Sequence, residues 1–245
     1  MTPATPAGIP VTVVDLGLGN LGSVLQALRR AGGFPSLSSG PRAIARAPRL
    51  ILPGVAAFGL GMERAEQLSV KPALLEALSR GTPLLGICLG MQILFEEGDE
   101  DGTRPGLGLL PGRVTRLPLN VSQPHIGWQR LVTTGDSPLL AEDVGAHDLS
   151  QAADGSDRSG VERARGSGST APWAYFAHSY RCEAPAEVTS AVAEHLPRDG
   201  GEPVRIAAVV RKDNVHGVQF HPEKSAHDGQ ALLARFLKLQ AGTPA

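Results

Sequence analysis

The sequence predicts an α/β fold in which a mainly parallel central sheet carries helices on both faces and antiparallel strands are added to it. Two observations predict this architecture. In the first half of the chain, short apolar strand candidates alternate with amphipathic segments, at residues 11–14, 50–52 and 83–87. In the second half, strand-like runs follow one another with turn residues between them, at residues 174–180, 188–194, 205–211 and 215–220.

Helical segments connect the first strands. Leucine and valine recur at spacings of three and four after the first strand, and Gly32 and Gly33 end that helix. The strand at 83–87 runs directly into Cys88. Parallel strands connected by helices place their carboxyl ends, and with them a binding site, along one edge of the sheet. Apolar spacing predicts further helices at residues 62–79, 91–97 and 229–239.

The chain has 245 residues, which is enough for one sizeable domain with its own core. We predict a single domain over residues 1–245, with an N-terminal tail at 1–10. Residues 145–172 are rich in Gly, Ser, Asp, Ala and Arg, so we predict a flexible surface insertion there. The formal net charge of -1 gives no electrostatic attraction to nucleic acid or to an anionic membrane, and we expect neither as a partner.

Cysteine usage and apolar segments indicate the compartment. The chain has two cysteines, Cys88 and Cys182, which is too few for a disulfide framework. Residues 1–10 lack the basic start and apolar stretch of a signal peptide. The apolar run at 50–62 contains proline and glycine and falls short of the roughly 20 residues that span a bilayer. We expect a soluble, cytoplasmic protein. Cys and His never occur at ligand spacing, so we predict no metal or organic cofactor.

Cys88 is the strongest candidate for a nucleophile. It lies between an apolar strand and a helix, and Gly86 and Gly90 flank it two residues away on each side. This pattern is typical of a nucleophile elbow, in which small neighbours permit a sharp turn and the helix N-terminus stabilises a thiolate. The amide of Leu89 points at the same place and can donate to an oxyanion. A buried cysteine without this setting is usually a small core residue, and we interpret Cys182 in that way.

A cysteine nucleophile needs a base, and His221 is the best candidate among the histidines. It ends an apolar strand and is followed by Pro222 and Glu223. Because proline prevents a regular helix or ladder, we expect an extended conformation across Pro222. That geometry lets Glu223 swing back and fix the imidazole tautomer. Taken by itself, the His-Pro-Glu tripeptide fits a solvated turn about as well.

Two motifs, in this order and at this separation, resemble those of the class I (triad) glutamine amidotransferases. They are Gly-Ile-Cys-Leu-Gly-Met-Gln at residues 86–92 and Gly-Val-Gln-Phe-His-Pro-Glu-Lys-Ser at residues 217–225. The resemblance implies a single flavodoxin-like domain with Cys88 as nucleophile, His221 as general base and acid, and Glu223 as the group that orients His221. The implied reaction hydrolyses glutamine through a thioester to glutamate and ammonia.

Three further segments resemble the glutaminase subunits of imidazole glycerol phosphate synthase, from histidine biosynthesis. They are Asp-Leu-Gly-Leu-Gly-Asn-Leu at 15–21, Pro-His-Ile-Gly-Trp at 124–128 and Tyr-Phe-Ala-His-Ser-Tyr at 175–180. This resemblance implies a heterodimer with a synthase (cyclase) subunit that resembles a (β/α)8 barrel. The partner would use the ammonia to form imidazole glycerol phosphate and an aminoimidazole carboxamide ribotide.

Position by position, the resemblance implies three further groups of residues. The backbone amides that form the oxyanion site would belong to Val55 and Leu89. The positions that would hold glutamine are Gly54, Gln92, Glu100, Ser179 and Tyr180. The positions that would face the synthase partner are Asn20, Trp128, Tyr175 and Lys224.

The chain departs from the family pattern at three places. Leu16 stands where an aromatic residue is common, and Ala56 stands where glycine is common after Pro-Gly-Val. Residues 145–172 form a longer stretch than the family implies. Alanine tolerates positive φ poorly, so Ala56 would make a flip of the oxyanion strand harder. None of these differences touches Cys88, His221 or Glu223.

Three other interpretations stay open on the sequence alone. The Gly-x-Gly-x-x-Gly pattern at 17–22 fits a dinucleotide-binding oxidoreductase, but no acidic residue occurs between Asp15 and Glu63 to bind ribose hydroxyls. A stand-alone cysteine hydrolase for γ-glutamyl substrates would use the same triad without a partner. An amidotransferase subunit of the anthranilate synthase type would keep the triad but lack the segments around Asn20 and Trp128 together.

Overall fold

The computed structural model describes residues 8–19, 21–140 and 171–242, and a nine-stranded sheet forms the centre of this part of the chain. The first five strands in spatial order are parallel to one another, and each later strand is antiparallel to its neighbour. In spatial order the strands are β2 (Gly33–Ser38), β1 (Ile9–Val14), β3 (Leu50–Gly54), β4 (Leu84–Cys88), β13 (Val215–Val218), β12 (Val204–Lys212), β11 (Thr189–His195), β8 (His125–Thr133) and β9 (Trp173–His178).

A smaller four-stranded sheet adjoins the main one. Its central strands run parallel to each other, and an antiparallel strand lies on either side. In spatial order its strands are β10 (Tyr180–Glu183), β7 (Leu110–Arg116), β5 (Phe95–Gly98) and β6 (Arg104–Pro105). Because β10 follows β9 after Ser179 alone, the chain passes from one sheet into the other at the segment predicted to hold glutamine.

Helices cover both faces of the parallel strands, as the alternation of strand and helix segments along the chain predicts. Leu52 of β3 packs in the same core cluster as Phe58, whereas Ile51 faces a second cluster that contains Leu28 and Phe236. All five side chains are fully buried, so each face of the sheet has its own apolar layer. The helices are α1 (Leu21–Arg30), α2 (Pro41–Ala45), α3 (Phe58–Gln67), α4 (Val70–Leu78), α5 (Leu89–Gln92) and α6 (Ala226–Lys238).

Two helix predictions are wrong. Residues 62–79 do not form one helix, because Ser69 adopts a left-handed conformation with φ of 52° between α3 and α4. Residues 91–97 do not form a helix either, because α5 is a single turn and Phe95 begins strand β5. Phe95 is buried and pairs with Leu110 of β7. That pairing overrides the local apolar spacing, which by itself fits a helix.

Strand β13 joins the two halves of the sheet. It is antiparallel to β12 on one side and parallel to β4 on the other. Its register pairs Gly217 with Gly86. The carboxyl ends of β4 and β13 therefore lie next to each other, which brings residues 88 and 221 together although they are distant in the chain.

The predicted insertion at 145–172 lies, except for its last two residues, outside the described part of the chain. Most of the predicted N-terminal tail also lies outside it. Within residues 8–19, 21–140 and 171–242, no helix combines the length and apolarity that crossing a bilayer demands.

We expect acid to destabilise the protein partly through His216, a buried residue of β13 whose ring meets that of Phe236 edge to face. Burial, and then the charge of Arg211, lowers the pKa of His216 from 6.5 to about 4. As pH falls from 7 to 5, the His216 imidazole becomes protonated in the unfolded chain but stays neutral in the folded chain. The free energy of unfolding therefore decreases in that window. His216→Leu should remove about 2 kcal/mol of the wild-type difference in unfolding free energy between pH 7 and pH 5.

Urea unfolding at both pH values measures that difference. Phe236→Leu serves as the control, because it changes the other ring of this contact without removing a titratable group, and it should keep the wild-type dependence on pH. An unchanged pH dependence in His216→Leu would contradict the assignment of a neutral, buried imidazole.

Candidate active site

Cys88 lies at the junction of β4 and α5, at the carboxyl edge of the parallel strands. Its backbone has φ of 53° and ψ of −112°, outside the regions that residues with a side chain favour. Such a conformation costs about 1–3 kcal/mol and persists only where the surrounding structure imposes it. The side chain is 6% exposed, so the sulfur occupies a buried position at the start of a helical turn.

This turn requires glycine at two positions, because neither of them has room for a side chain. A Cβ atom at Gly86 would lie 2.7 Å from the carbonyl oxygen of Gly90. A Cβ atom at Gly90 would overlap the carbonyl oxygen of Leu52 in β3. The predicted elbow is therefore present, and close backbone approach is the reason that it requires glycine.

His221 reaches the sulfur from the neighbouring strand. The segment after β13 leaves the sheet beside Cys88, because β13 lies parallel to β4. The backbone amide of His221 donates to the carbonyl of Tyr175 at 2.9 Å, and Ser225 Oγ donates to the carbonyl of His221 at 2.7 Å. These two hydrogen bonds fix the backbone on which the imidazole is carried.

Glu223 accepts a hydrogen bond from Nδ1 of His221 at 2.8 Å, and the two side chains are only 6% and 5% exposed. The extended conformation expected across Pro222 is wrong. Residues Pro222–Lys224 form a single 3₁₀ turn, which the fixed φ of proline permits at its first position. The turn itself returns the carboxylate to the imidazole.

The electrostatics of His221 favour an imidazolium. Burial opposes the charged form, but hydrogen bonds and charge interactions with Cys88 and Glu223 outweigh it and raise the pKa of His221 from 6.5 to about 10. Because Nδ1 donates to the carboxylate, Nε2 is the nitrogen available to the sulfur. The three side chains can therefore hold a thiolate beside an imidazolium and exchange one proton between sulfur and nitrogen.

The segment predicted to form the oxyanion site adjoins Cys88. Gly54, the last residue of β3, pairs with Cys88 in the sheet register. A Cβ atom at Gly54 would lie 3.0 Å from the side chain of Leu89, so the strand end and the elbow are in close contact. The Val55 side chain is 60% exposed, and Gly19 of the first loop approaches its backbone nitrogen.

The positions predicted to hold glutamine come from the end of β3, from α5, from the turn after β5, and from the start of β10 with the residue before it. Gln92 of α5 donates its amide to the backbone carbonyl of Tyr180 at 3.0 Å. Glu100 accepts from the backbone amide of Phe58 at 2.7 Å, and burial together with the charge of Glu100 raises the pKa of Tyr180. Ser179 lies in the link between the two sheets, and its carbonyl accepts a hydrogen bond from the amide of Leu117 at 2.9 Å. Gln92, Glu100 and Tyr180 are thus brought together.

Three of the four positions predicted to face a partner come together. The rings of Trp128 and Tyr175 meet edge to face with centroids 5.9 Å apart, and Lys224 Nζ lies 5.9 Å from the Tyr175 ring. Lys224 is exposed, and the two aromatic residues are half-buried. Asn20 lies outside the described residues.

Sequence reasoning missed a polar residue that contacts the sulfur and a pair of buried histidines that contacts the Tyr180 carbonyl. The side-chain amide of Gln219 donates to Cys88 Sγ at 3.8 Å and is fully buried. His125 and His178 form a buried pair whose facing nitrogens lie 3.0 Å apart, behind the Tyr180 carbonyl. The available signal is a polar residue within an apolar strand pattern, which for Gln219 means an amide between Val218 and Phe220.

A cysteine elbow at the carboxyl edge of a parallel sheet, facing a histidine that a carboxylate orients, defines a class of enzyme rather than a binding module. The chain belongs to the class-I glutamine amidotransferase family, whose model matches residues 13–239.

Within that family, the chain is similar to curated proteins that carry the name Imidazole glycerol phosphate synthase subunit HisH. It is 40% identical to the protein of that name from Symbiobacterium thermophilum over 227 residues, with 92% of each chain covered. It is 41% identical to the one from Halobacterium salinarum over 237 residues, which covers 94% of this chain and 93% of the relative. These findings confirm the resemblance that the motifs predict.

A solved structure supports the fold. The crystal structure of a glutamine amidotransferase superposes with a TM-score of 0.63 and covers 94% of this chain and 98% of its own, at 19% identity. The α/β class with a mainly parallel sheet is therefore confirmed. Gly17 and Gly19 of the 17–22 pattern belong to the loop after β1, where both adopt positive φ and Gly19 lies beside Val55, whereas Gly22 lies in α1. Family membership replaces the dinucleotide-binding interpretation of that pattern.

Glu223→Gln should reduce glutamate release from glutamine by roughly 10²- to 10⁴-fold while the chain stays folded. The amide cannot supply the negative charge that supports the imidazolium, so the pKa of His221 should fall from its value of about 10. The measurement is glutamate release from glutamine, compared with wild type under the same conditions. The control Glu187→Gln alters an exposed carboxylate on another 3₁₀ turn and should retain wild-type turnover. Equal turnover in both variants would show that Glu223 does not support the base.

Proposed function

We propose that this chain is the glutaminase subunit of imidazole glycerol phosphate synthase in histidine biosynthesis. It hydrolyses glutamine to glutamate and ammonia and passes the ammonia to a synthase subunit. The observation that carries the proposal is the buried Cys88, His221 and Glu223 arrangement, in a chain similar over more than nine-tenths of its length to proteins named HisH. Cys88 acts as nucleophile, His221 as base and acid, and Glu223 as the orienting group.

The first half of the reaction forms a thioester. The Cys88 thiolate attacks the side-chain amide carbon of glutamine, and the carbonyl oxygen becomes an oxyanion. The backbone amides of Leu89 and Val55 donate to that oxygen, and losing one such donor typically costs about 2.7–4 kcal/mol of transition-state stabilisation. His221 gives its Nε2 proton to the amide nitrogen, the carbon–nitrogen bond breaks, and ammonia leaves.

The second half releases glutamate. His221, now neutral, takes a proton from a water molecule as the water attacks the thioester carbon. The new tetrahedral intermediate collapses, the carbon–sulfur bond breaks, and the thiolate is restored beside the imidazolium. The raised pKa of His221 supports this cycle, because the protonated imidazole is the stable partner of a thiolate.

Glutamine binds between the elbow and the junction of the two sheets. Gly54, Gln92, Glu100, Ser179 and Tyr180 form this pocket in the proposal. Its support is the hydrogen bond from Gln92 to the Tyr180 carbonyl and the proximity of Glu100 to the Tyr180 side chain. Because Gly54 pairs with Cys88, a substrate held here has its amide carbon next to the sulfur.

The partner is a synthase (cyclase) subunit that resembles a (β/α)8 barrel, and the two chains form a heterodimer. The surface that contacts it contains Trp128, Tyr175 and Lys224, together with Asn20. The contact between the Trp128 and Tyr175 rings supports this assignment, since aromatic side chains are enriched at protein interfaces, and the Lys224 ammonium lies 5.9 Å from the Tyr175 ring. Lys224 follows Glu223 directly, so docking occurs one residue from the orienting carboxylate. The partner converts the ammonia into imidazole glycerol phosphate and an aminoimidazole carboxamide ribotide.

We place the enzyme in the cytoplasm. A nucleophilic cysteine must remain reduced, and both cysteines of the chain are free and buried. Reducing compartments maintain thiols in this state.

We expect the isolated chain to release glutamate slowly, because ammonia without an acceptor is wasted. A synthase subunit loaded with its ribonucleotide substrate should stimulate the release strongly by moving the oxyanion strand into donor geometry. Glutamate assays on the chain alone, with the empty partner and with the loaded partner measure this. High turnover that ignores the partner would keep the Cys88 chemistry but favour the stand-alone hydrolase.

Cys88→Ala should abolish glutamine-dependent synthesis by the complex and spare synthesis from added ammonia. The nucleophile is needed only to generate ammonia, so the partner keeps its own chemistry. Cys182→Ala is the matched control, because Cys182 is a buried thiol whose pKa burial raises well above its usual value. Loss of both activities in the Cys88 variant alone would mean that Cys88 has a structural role.

Ala56→Gly should raise glutamate release by the isolated chain several-fold and reduce the factor by which the partner stimulates it. Glycine adopts positive φ without the steric cost that alanine has, about 1 kcal/mol in favour of a flipped strand. The ratio of the rates with and without the loaded partner is the measured quantity. An unchanged ratio would mean that the strand does not pass through a positive φ at this position.

A further inference from the structure

Gln219 is a fully buried polar residue next to the nucleophile. It lies two residues before His221, and its neighbours Val218 and Phe220 are buried apolar residues. Its Nε2 donates to Cys88 Sγ at 3.8 Å, and its Oε1 accepts from Gln92 Nε2 at 3.1 Å. Burial of an amide is costly unless both of its ends are hydrogen-bonded, and these contacts satisfy both ends.

The direction of these hydrogen bonds follows from a backbone carbonyl. Gln92 Nε2 also donates to the carbonyl oxygen of Tyr180 at 3.0 Å. A carbonyl only accepts, so the nitrogen of the Gln92 amide must face it. The second N–H of Gln92 then requires an acceptor, which is Gln219 Oε1. The nitrogen of Gln219 is consequently the end that faces the sulfur.

A pair of neutral histidines holds the Tyr180 carbonyl from the other side. His178 Nδ1 donates to this carbonyl at 2.8 Å, so His178 Nε2 accepts from His125 Nδ1 at 3.0 Å. Burial, and then neighbouring histidines, lowers the pKa of His125 to about 3, and burial lowers that of His178 to about 4. Both rings are therefore neutral near pH 7. The Tyr180 carbonyl thus accepts one hydrogen bond from Gln92 and one from His178. These two bonds fix which atom donates and which accepts at each later step towards Cys88.

We infer that Gln219 is a positioning residue for Cys88, which aims an amide N–H at the thiolate sulfur and is itself oriented through Gln92 by the carbonyl of Tyr180. A hydrogen bond to an ionised acceptor is stronger than one to a neutral acceptor, so the N–H favours thiolate over thiol. It also approaches the sulfur separately from His221, and it restricts where the sulfur points. The inference rests on the proposed role of Cys88 as nucleophile.

Two substitutions separate the donor from the shape of the side chain. Gln219→Met keeps the length and removes both polar ends. Gln219→Glu keeps the shape and an acceptor for Gln92 but removes the N–H, and its carboxylate opposes a neighbouring thiolate once ionised. The matched controls are Gln67→Met and Gln67→Glu on α3, where the amide contacts Glu63 and Arg64 at the surface.

The readout is the rate at which iodoacetamide alkylates Cys88 in the full chain between pH 5 and pH 9, followed by mass spectrometry. Gln219→Met should react about tenfold more slowly than wild type at pH 7, because the hydrogen bond to a charged acceptor is lost. Its pH profile should be displaced to higher pH, and that of Gln219→Glu further still. In the complex, Gln219→Glu should lower kcat for glutamate release about tenfold or more with little change in KM, because Gln92 keeps its acceptor.

The Gln67 variants should match wild type in both assays. If Gln219→Met does not fold, the isosteric Gln219→Glu variant and its pH profile carry the test. A folded Gln219→Glu variant with the wild-type alkylation profile would overturn the inference about Gln219 while the glutaminase proposal stands. A wild-type complex that releases no glutamate, with a Cys88 no more reactive than glutathione, would overturn both.

Discussion

The turn at Cys88 is the constraint on which the rest of the site depends. The backbone there adopts a conformation that a cysteine does not favour, and it is held by contacts that leave no space for a side chain at Gly86 or Gly90. The Gly90 contact is to the carbonyl of Leu52 in β3, and β13 is paired on the other side of β4. The strand ends that flank the elbow are therefore the ones that carry the segment proposed for the oxyanion site and the histidine proposed as the base. These strand ends are far apart in the chain, and the order of the strands in the sheet brings them together.

Burial is what gives the polar groups of this site their effect. His221 and Glu223 are almost excluded from water, so the interactions of the imidazole with Cys88 and with the carboxylate 2.8 Å away outweigh the effect of desolvation on its pKa. The same burial keeps His125 and His178 neutral, because these two rings face each other and carbonyl oxygen rather than a carboxylate. Neighbouring histidines thus differ in charge: His221 is protonated, and His125 and His178 are neutral. The difference lies in the acceptor that each ring meets.

The sequence predicts the parts of this site that are encoded locally. Cys88 with its glycines and His221 with Glu223 form two short motifs, and the alternation of strands and helices predicts the sheet that brings such motifs to one edge. The path to the carboxylate differs from expectation, because Pro222 starts a 3₁₀ turn. Ser69, which divides two helices, and Phe95, which enters a strand, show where tertiary pairing overrides local spacing. Gln219 escapes prediction because its partners, Gln92 and Cys88, come from another strand and another helix.

Tyr175 of β9 makes contacts through its ring and, separately, through its main chain. Its ring lies between Trp128 and Lys224 on the outside, and its backbone carbonyl receives the amide of His221 on the inside. Its own amide donates to Ser225 Oγ at 2.9 Å, and Ser225 Oγ in turn donates to the carbonyl of His221 at 2.7 Å. Tyr175 therefore connects a half-buried ring to the backbone of His221 through the hydrogen bonds of its own main chain. A shift of the edge strand β9 at Tyr175 would displace the main chain that carries the His221 imidazole.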